Sequence, residues 1–238
     1  EGRMKNPEDI ISFLNEDIIN KSPLKGVSIL ITAGPTYEHI DKVRYLTNHS
    51  SGKMGISLAH TAASLGADVI LVIGPCNYEI KHSNIEAIDI VSAADMFSVV
   101  IDKFKGMDIG IFAAAVSDFK PTATVKNKIK KSQVNIDLKL EPTIDVLSQI
   151  SLNKDKSQYI VGFALETDNE IENAKTKLKN KKLDFIVLNS LNDKGAGFSC
   201  NTNKITIIDS NNNIELYETK SKDDVSKDIF DKILKLRK

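Results

Sequence analysis

Apolar residues along this chain come in short runs that alternate with stretches of helical spacing. Val27–Ala33 is a compact apolar run with β-branched residues and predicts a buried parallel strand. It breaks at Ala33-Gly34-Pro35-Thr36 and gives way to a polar excursion. A helix then follows, with Ser50 or Ser51 as its expected cap, Met54, Leu58, Ala62 and Leu65 on its buried face, and Gly66 as its stop. Asp68–Ile73 predicts the next strand and Ile85–Val91 a weaker one. Ser92-Ala93-Ala94-Asp95 opens a helix reaching about Phe104, and Asp108–Val116, Tyr159–Ala164 and Asp184–Leu188 are further strands. Asn169–Lys181 between the last two predicts a helix with Ile171, Ala174 and Leu178 inward and Lys177 and Lys181 on its polar side.

This alternation predicts an α/β fold: a three-layer, Rossmann-like, open and mainly parallel sheet with helices on both faces. Ligands in such sheets bind at the carboxyl ends of the strands. The tail departs from the alternation. Lys204–Asp209 and Ile214–Glu218 flank Ser210-Asn211-Asn212-Asn213, which predicts a C-terminal β-hairpin extension. A closing helix carries Val225, Ile229, Ile233 and Leu236 on one face. Residues 1–22 read as an approach segment, with a short helix from Pro7 ended by Pro23.

Composition narrows the function classes. Lys+Arg and Asp+Glu are both 32, so the net charge is +0, which argues against general nucleic-acid binding. Cys76 and Cys200 stand alone with no Cys/His cluster, which argues against structural zinc and fits a reducing cytoplasm. No apolar run approaches the ~20 residues of a membrane span.

The candidate chemistry lies where strands end. Asn48-His49-Ser50-Ser51-Gly52-Lys53-Met54-Gly55 crowds an amide, an imidazole, hydroxyls and glycines at one helix mouth, the parts of a phosphate cradle. His49 alone reads as scaffold. The spacing of Gly34, Gly52 and Gly55 matches neither the Rossmann glycine fingerprint nor the Walker A motif. Ala113-Ala114-Ala115-Val116-Ser117-Asp118 ends a strand in small residues on which a ligand can lie. Asp118 reads as a ribose or metal ligand, or as a solvated acid. Lys126–Lys131 reads as a solvated face or as a flap over a triphosphate. Phe163 reads as a base-stacking ring or as core, with core the default.

The order Thr32–Thr36, Arg44, Asn48–Gly55, Gly66–Val69, Ala113–Phe119, Lys128–Lys131, Val161–Thr167 and Leu183–Asn189 resembles phosphopantothenoylcysteine synthetase, the ligase of coenzyme A biosynthesis. The resemblance runs from Val27 to about Lys232 and implies a reaction in two halves. CTP activates 4'-phosphopantothenate as an acyl-cytidylate with loss of pyrophosphate, and the amine of L-cysteine then displaces CMP. It implies Asn48 and Lys128 as catalytic residues, one donating to the oxyanion of the second half and one countering phosphate charge in the first. For the nucleotide it implies Gly34, Ala113, Ala114, Asp118, Lys128, Ile144, Asp145, Val146, Leu147, Phe163, Lys177 and Lys181. For the acid substrate it implies Arg44, Asn48, Ser50, Ser51, Gly52, Lys53 and Ala115. Mg²⁺ would accompany the triphosphate, with Asp118 a candidate ligand. Pro142-Thr143-Ile144-Asp145 departs from the Asn-Pro-Asp that many bacterial relatives place before the aliphatic pair.

The resemblance also implies a homodimer, with Arg44 and Asn48 acting partly across its interface. Glu1-Gly2-Arg3-Met4 looks like the end of the flavin-dependent decarboxylase that precedes this domain in bifunctional relatives. Residues 1–22 are therefore expected to be the tail of that domain and 23–238 the ligase domain, with no FMN on this segment. A nicotinamide-dependent oxidoreductase and a non-catalytic nucleotide-binding domain are the alternatives carried forward.

Overall fold

The computed structural model describes residues 6–8, 22–130, 137–190 and 200–237. Lys131 of the expected flap, and most of the segment read as a helix from Pro7, lie outside these residues. The strands of the main sheet are β1 (Ser28–Ala33), β2 (Asp68–Ile73), β3 (Ile85–Asp89), β4 (Ile109–Phe112), β5 (Tyr159–Glu166), β6 (Phe185–Ser190), β7 (Ile205–Asp209) and β8 (Ile214–Leu216). Their spatial order is β8-β7-β6-β5-β4-β1-β2-β3. Strands β1 to β6 run parallel, while β7 and β8 add antiparallel at one edge, the hairpin that the tail pattern predicts.

The strand order reverses between β1 and β4, so the loops after these two strands diverge and leave a crevice. Helices α1 (Lys53–Ser64), α2 (Ala93–Lys103), α3 (Val146–Leu152), α4 (Glu170–Asn180) and α5 (Lys222–Leu236) cover the sheet. Successive residues of a strand point to opposite faces, and β1 divides its apolar residues accordingly. Ile29 and Ile31 join Leu58, Ala62, Val225, Ile229 and Ile233 from α1 and α5. Leu30 joins Met96, Val100, Ile150, Ala174 and Leu178 from α2, α3 and α4. Two cores on one sheet make the three layers, each fully buried aliphatic side chain contributing about 1.5–3 kcal/mol.

Several elements differ from the sequence expectation. Strand β4 stops at Phe112, so Ala113–Val116 is site loop and not strand. Helix α1 begins not on a serine cap but on Gly52 at φ 73°, with no side-chain cap bond. A side chain there would press on the Cys76 Sγ, 2.7 Å from an ideal Cβ, so packing selects glycine over the two nearby hydroxyls. Ile171 is 39% exposed, leaving Ala174 and Leu178 as the inward residues of α4. Helix α3 has no counterpart in the periodicity reading.

Candidate functional site

A cleft of about 550 Å³ opens at the β1/β4 crevice. Its first wall is the mouth of α1. Gly55 makes this wall possible: an ideal Cβ there would lie 2.4 Å from the Ala33 Cβ, so only glycine lets the helix press onto the end of β1. Ser50, Ser51, Gly52, Lys53 and Met54 therefore face the cleft. The Ser50 hydroxyl accepts from the Gly52 N–H at 3.3 Å, which folds the approach to the helix. The first N–H groups of a helix have no intrahelical partner and carry a partial positive charge, which favours an anion.

The second wall is the loop after β4. Ala113, Ala114, Ala115, Val116 and Asp118 line the cleft. The loop is held from the turn after β1, because the Ala115 N–H donates to the Gly34 carbonyl at 2.9 Å and the Ser117 N–H to the Thr36 hydroxyl at 3.0 Å. Asn48 bridges the two walls. Its amide nitrogen donates to the carbonyls of Ala115 and Val116, each at 3.1 Å. The amide donor that an oxyanion role requires is thus committed to backbone in the ligand-free protein.

The third wall comes from the opposite face. Asp145 caps α3 by accepting from the Ser148 N–H at 3.0 Å, and Lys181 pairs with its carboxylate at 2.7 Å. Burial favours protonated Asp145, but hydrogen bonds from Lys181 and Ser148 outweigh it and hold the carboxyl below its usual range. Lys177 points inward and donates to the Phe163 carbonyl at 2.8 Å. It is not on a solvated side as its spacing suggested. Burial, and then the neighbouring charge of Lys181, push its pKa down. Ile144, Val146 and Leu147 complete an apolar lining here, while Phe163 reaches the cleft from the other face, packed on the core under α1 and α5.

The structure gathers most of the expected residues, with three exceptions. Gly34 is buried against Gly74, where an ideal Cβ would lie 2.9 Å from the Gly74 carbonyl oxygen, so it shapes the turn and does not line the cleft. Arg44 also stands off the cleft. Its guanidinium pairs with Asp41, and one nitrogen donates to the Ile129 carbonyl at 2.9 Å. Lys128, next to Ile129, is exposed and does not line the cleft either. His49 is likewise exposed.

Asp41 organises that neighbourhood. Its buried carboxylate accepts from the N–H groups of Val43 and Arg44, both at 2.8 Å, and of Ile129 at 3.1 Å. The Arg44 guanidinium, with these N–H groups, holds the carboxyl far below its usual range. The segment bearing Lys128 is thereby tied to the excursion after β1. Its root is a two-stranded pairing of Phe119–Pro121 with Leu140–Pro142.

Sequence reading missed Asn189, Asn203 and Lys222, which also line the cleft. Asn189 is the next-to-last residue of β6, where a polar residue near a strand's carboxyl end is a usable signal. Lys222 begins α5, a position where the helix dipole disfavours a cation, and that anomaly is its signal.

One aspect of metal fit is testable. Among the described residues there is no group of three or more His, Cys, Asp or Glu able to hold an ion. Asp118 and Asp145 place carboxylates on the cleft, Asp145 already paired with Lys181, and this sparse set fits Mg²⁺ carried by substrate phosphates and not a dedicated protein cage. Among the described residues no helix is long and apolar enough to cross a membrane.

Known proteins resemble this chain over most of its length. The chain is 50% identical to a protein named cysteine/cysteine sulfinic acid decarboxylase from an unknown prokaryotic organism, over 99% of this chain and 67% of that protein. It is 40% identical to the coenzyme A biosynthesis bifunctional protein CoaBC of Bacillus subtilis (strain 168), over 100% of this chain and 59% of that protein. The chain thus spans only part of these curated relatives. Among solved structures it resembles the C-terminal domain of a coenzyme A biosynthesis bifunctional protein CoaBC, with a TM-score of 0.77 and 35% identity, covering 91% of this chain and 98% of that one. Residues 24–236 match the family described as DNA/pantothenate metabolism flavoprotein C-terminal domain. The chain belongs to that family.

Proposed function

We propose that this chain is a phosphopantothenate–cysteine ligase that uses CTP. The observation that carries the reading is the convergence of Asn48, the α1 mouth, Asp118, Lys177 and Lys181 on one cleft at the strand-order reversal. A carboxylate is a poor electrophile, so its oxygen first attacks the innermost phosphorus of the triphosphate and pyrophosphate leaves. The amine of cysteine then attacks the acyl carbon, loses a proton, and CMP departs. Lys177 and Lys181 serve the nucleotide, with Ile144, Asp145, Val146 and Leu147 along its base or ribose. Asn48 exchanges a backbone partner for the oxyanion of the second half. Mg²⁺, with Asp118 as the protein carboxylate at hand, supplies charge neutralisation on the triphosphate. Catalysis by a homodimer, and an upstream decarboxylase domain in the complete protein, belong to the same reading. A cleft of about 550 Å³ with lysines on its walls favours a polyphosphate ligand over the small substrates named for the decarboxylase relative.

The test is direct. The purified chain is incubated with 4'-phosphopantothenate, cysteine, Mg²⁺ and each of the four nucleoside triphosphates, and pyrophosphate is measured. Release with CTP that depends on phosphopantothenate supports the reading, and no release with any nucleotide ends it. Lys128→Gln is expected to slow pyrophosphate release by about tenfold to a hundredfold, the scale of one charge-assisted hydrogen bond. Single-turnover pyrophosphate kinetics at the wild-type rate would remove Lys128 from the first half-reaction.

A further inference from the structure

The entry to α3 departs from the bacterial pattern at Thr143, and the fold gives that residue a use. Phe119–Pro121 pairs with Leu140–Pro142, and Thr143 carries the pairing one residue further. Its N–H donates to the Asp118 carbonyl at 2.9 Å, and its hydroxyl donates to the Ser117 carbonyl at 2.5 Å. One residue thus joins the second wall of the cleft to the third through consecutive carbonyls, and it lines the cleft itself.

The two walls are not held alike. The loop after β4 keeps its bonds to the Gly34 carbonyl, the Thr36 hydroxyl and the Asn48 amide whatever stands at position 143. Ser117 is held through its backbone, its own hydroxyl being buried without a partner among the described residues. The entry to α3 has less. The Asp145 side chain is taken up in capping α3 and pairing with Lys181. Among the described residues no other hydrogen bond holds Thr143 or Ile144. The Thr143 hydroxyl therefore decides where Ile144 stands. Ile144 lines the cleft and is 43% exposed, an apolar side chain open to solvent beside the buried Val146 and Leu147. A flat, partly apolar ring laid on it removes that surface from water.

We propose that Thr143 is a positioning residue for the nucleobase: its hydroxyl, held by the Ser117 carbonyl, fixes the Ile144–Leu147 seat and so sets part of the preference among bases. This rests on the nucleotide-using ligase reading and adds a determinant of specificity to it. A seat fixed beforehand costs the ligand less to order. A base that fits the fixed seat gains from this, and a base that has to displace the seat does not.

The test removes the hydroxyl and keeps the shape. Calorimetric titrations use the full chain and its Thr143→Val and Thr143→Ser variants, with CTP, CMP and ATP in the presence of Mg²⁺, well below the thermal midpoint of each variant. Thr143→Val is expected to weaken CTP and CMP by the same factor, about threefold to tenfold, the scale of one neutral hydrogen bond. ATP is expected to change by less than about twofold, so the preference narrows, and Thr143→Ser to restore CTP. In turnover, Thr143→Val raises the KM for CTP more than it lowers kcat. Unchanged CTP affinity, equal weakening of CTP and ATP, a CTP loss well beyond the CMP loss, no recovery in Thr143→Ser, or a wild-type chain that binds neither CTP nor CMP overturns the proposal. The ligase reading fails separately. Absent turnover with the binding contrast intact removes the reaction and keeps the role of Thr143, while turnover without the contrast does the reverse.

Discussion

Asn48→Ala is expected to leave acyl-cytidylate formation largely intact and to cut its transfer to cysteine by about 10²–10³-fold, the loss that follows removal of one oxyanion donor. The reasoning follows from where the amide sits. Its nitrogen is 3.1 Å from each of two backbone carbonyls on the loop after β4, at the border of the cleft. An amide in that place serves the reaction by turning one N–H from a carbonyl to the oxyanion. Asn48→Asp is expected to do worse than Asn48→Ala, since it sets a carboxylate against the Ala115 and Val116 carbonyls and pushes the loop away. Quench-flow with labelled CTP resolves the two halves. If Asn48→Ala accumulates no acyl-cytidylate and loses both halves equally, the side chain orders the loop and does not stabilise the oxyanion.

Lys232→Met is expected to destabilise the fold by about 3–5 kcal/mol, the usual cost of stranding a buried charge. Lys232 reaches Asp209 at 2.8 Å and Glu215 at 2.7 Å, and the Lys232 and Asp209 side chains are only 7% and 3% exposed. The lower end of that range applies, because Asp209 keeps the N–H groups of Asn211 and Asn213, both at 3.0 Å. This cluster clamps the β7–β8 hairpin to α5, the helix whose far end carries Lys222. Urea denaturation measures the effect, and a loss under about 1 kcal/mol would mean that apolar packing of α5 suffices.

The same cluster has a defined pH signature. Burial opposes the charge on Lys232, but its two carboxylate partners prevail and raise its pKa. Burial likewise opposes the charge on Asp209, and its hydrogen bonds from Lys232 and Asn213 prevail and lower it. Glu215 is lowered by Lys232 and then by Tyr217. The carboxylates therefore contribute stability that is present above their unfolded values near ~4 and is lost as pH falls through their folded ones. The lysine contributes stability that is present below its unfolded value near ~10 and is lost as pH rises through its folded one. The cluster is at full strength between those limits.

Where the chain repeats a period over many residues, it announces its own structure. Asp68–Ile73 is a strand in both the pattern and the fold, and Ser92 with Asp95 forms the capping box that its spacing implies. The cleft was legible where its residues cluster in sequence, as at Asn48–Lys53 and Ala113–Asp118. Helix α3 escaped because Val146–Leu152 is too short for a period to emerge, although Asp145 before it was a sound cap. Gly52 displaced Ser50 and Ser51 as the cap because of Cys76, a contact that no local rule contains. Arg44 has the charge of an anion ligand, and only folding reveals that Asp41, three residues earlier, claims it. Lys222 lies 169 residues from Lys53, and they become neighbours only when α5 returns to pack on α1.

The carboxylate of Asp41 works as a single rivet through two arms, one carrying Arg44 and the other Ile129 beside Lys128. Displacing either arm strains the other at the joint. Because its partners keep Asp41 ionised well below the normal carboxylate range, acidity near neutrality has no grip on the rivet. The joint therefore stays closed well past the acidity at which ordinary carboxylates take up a proton.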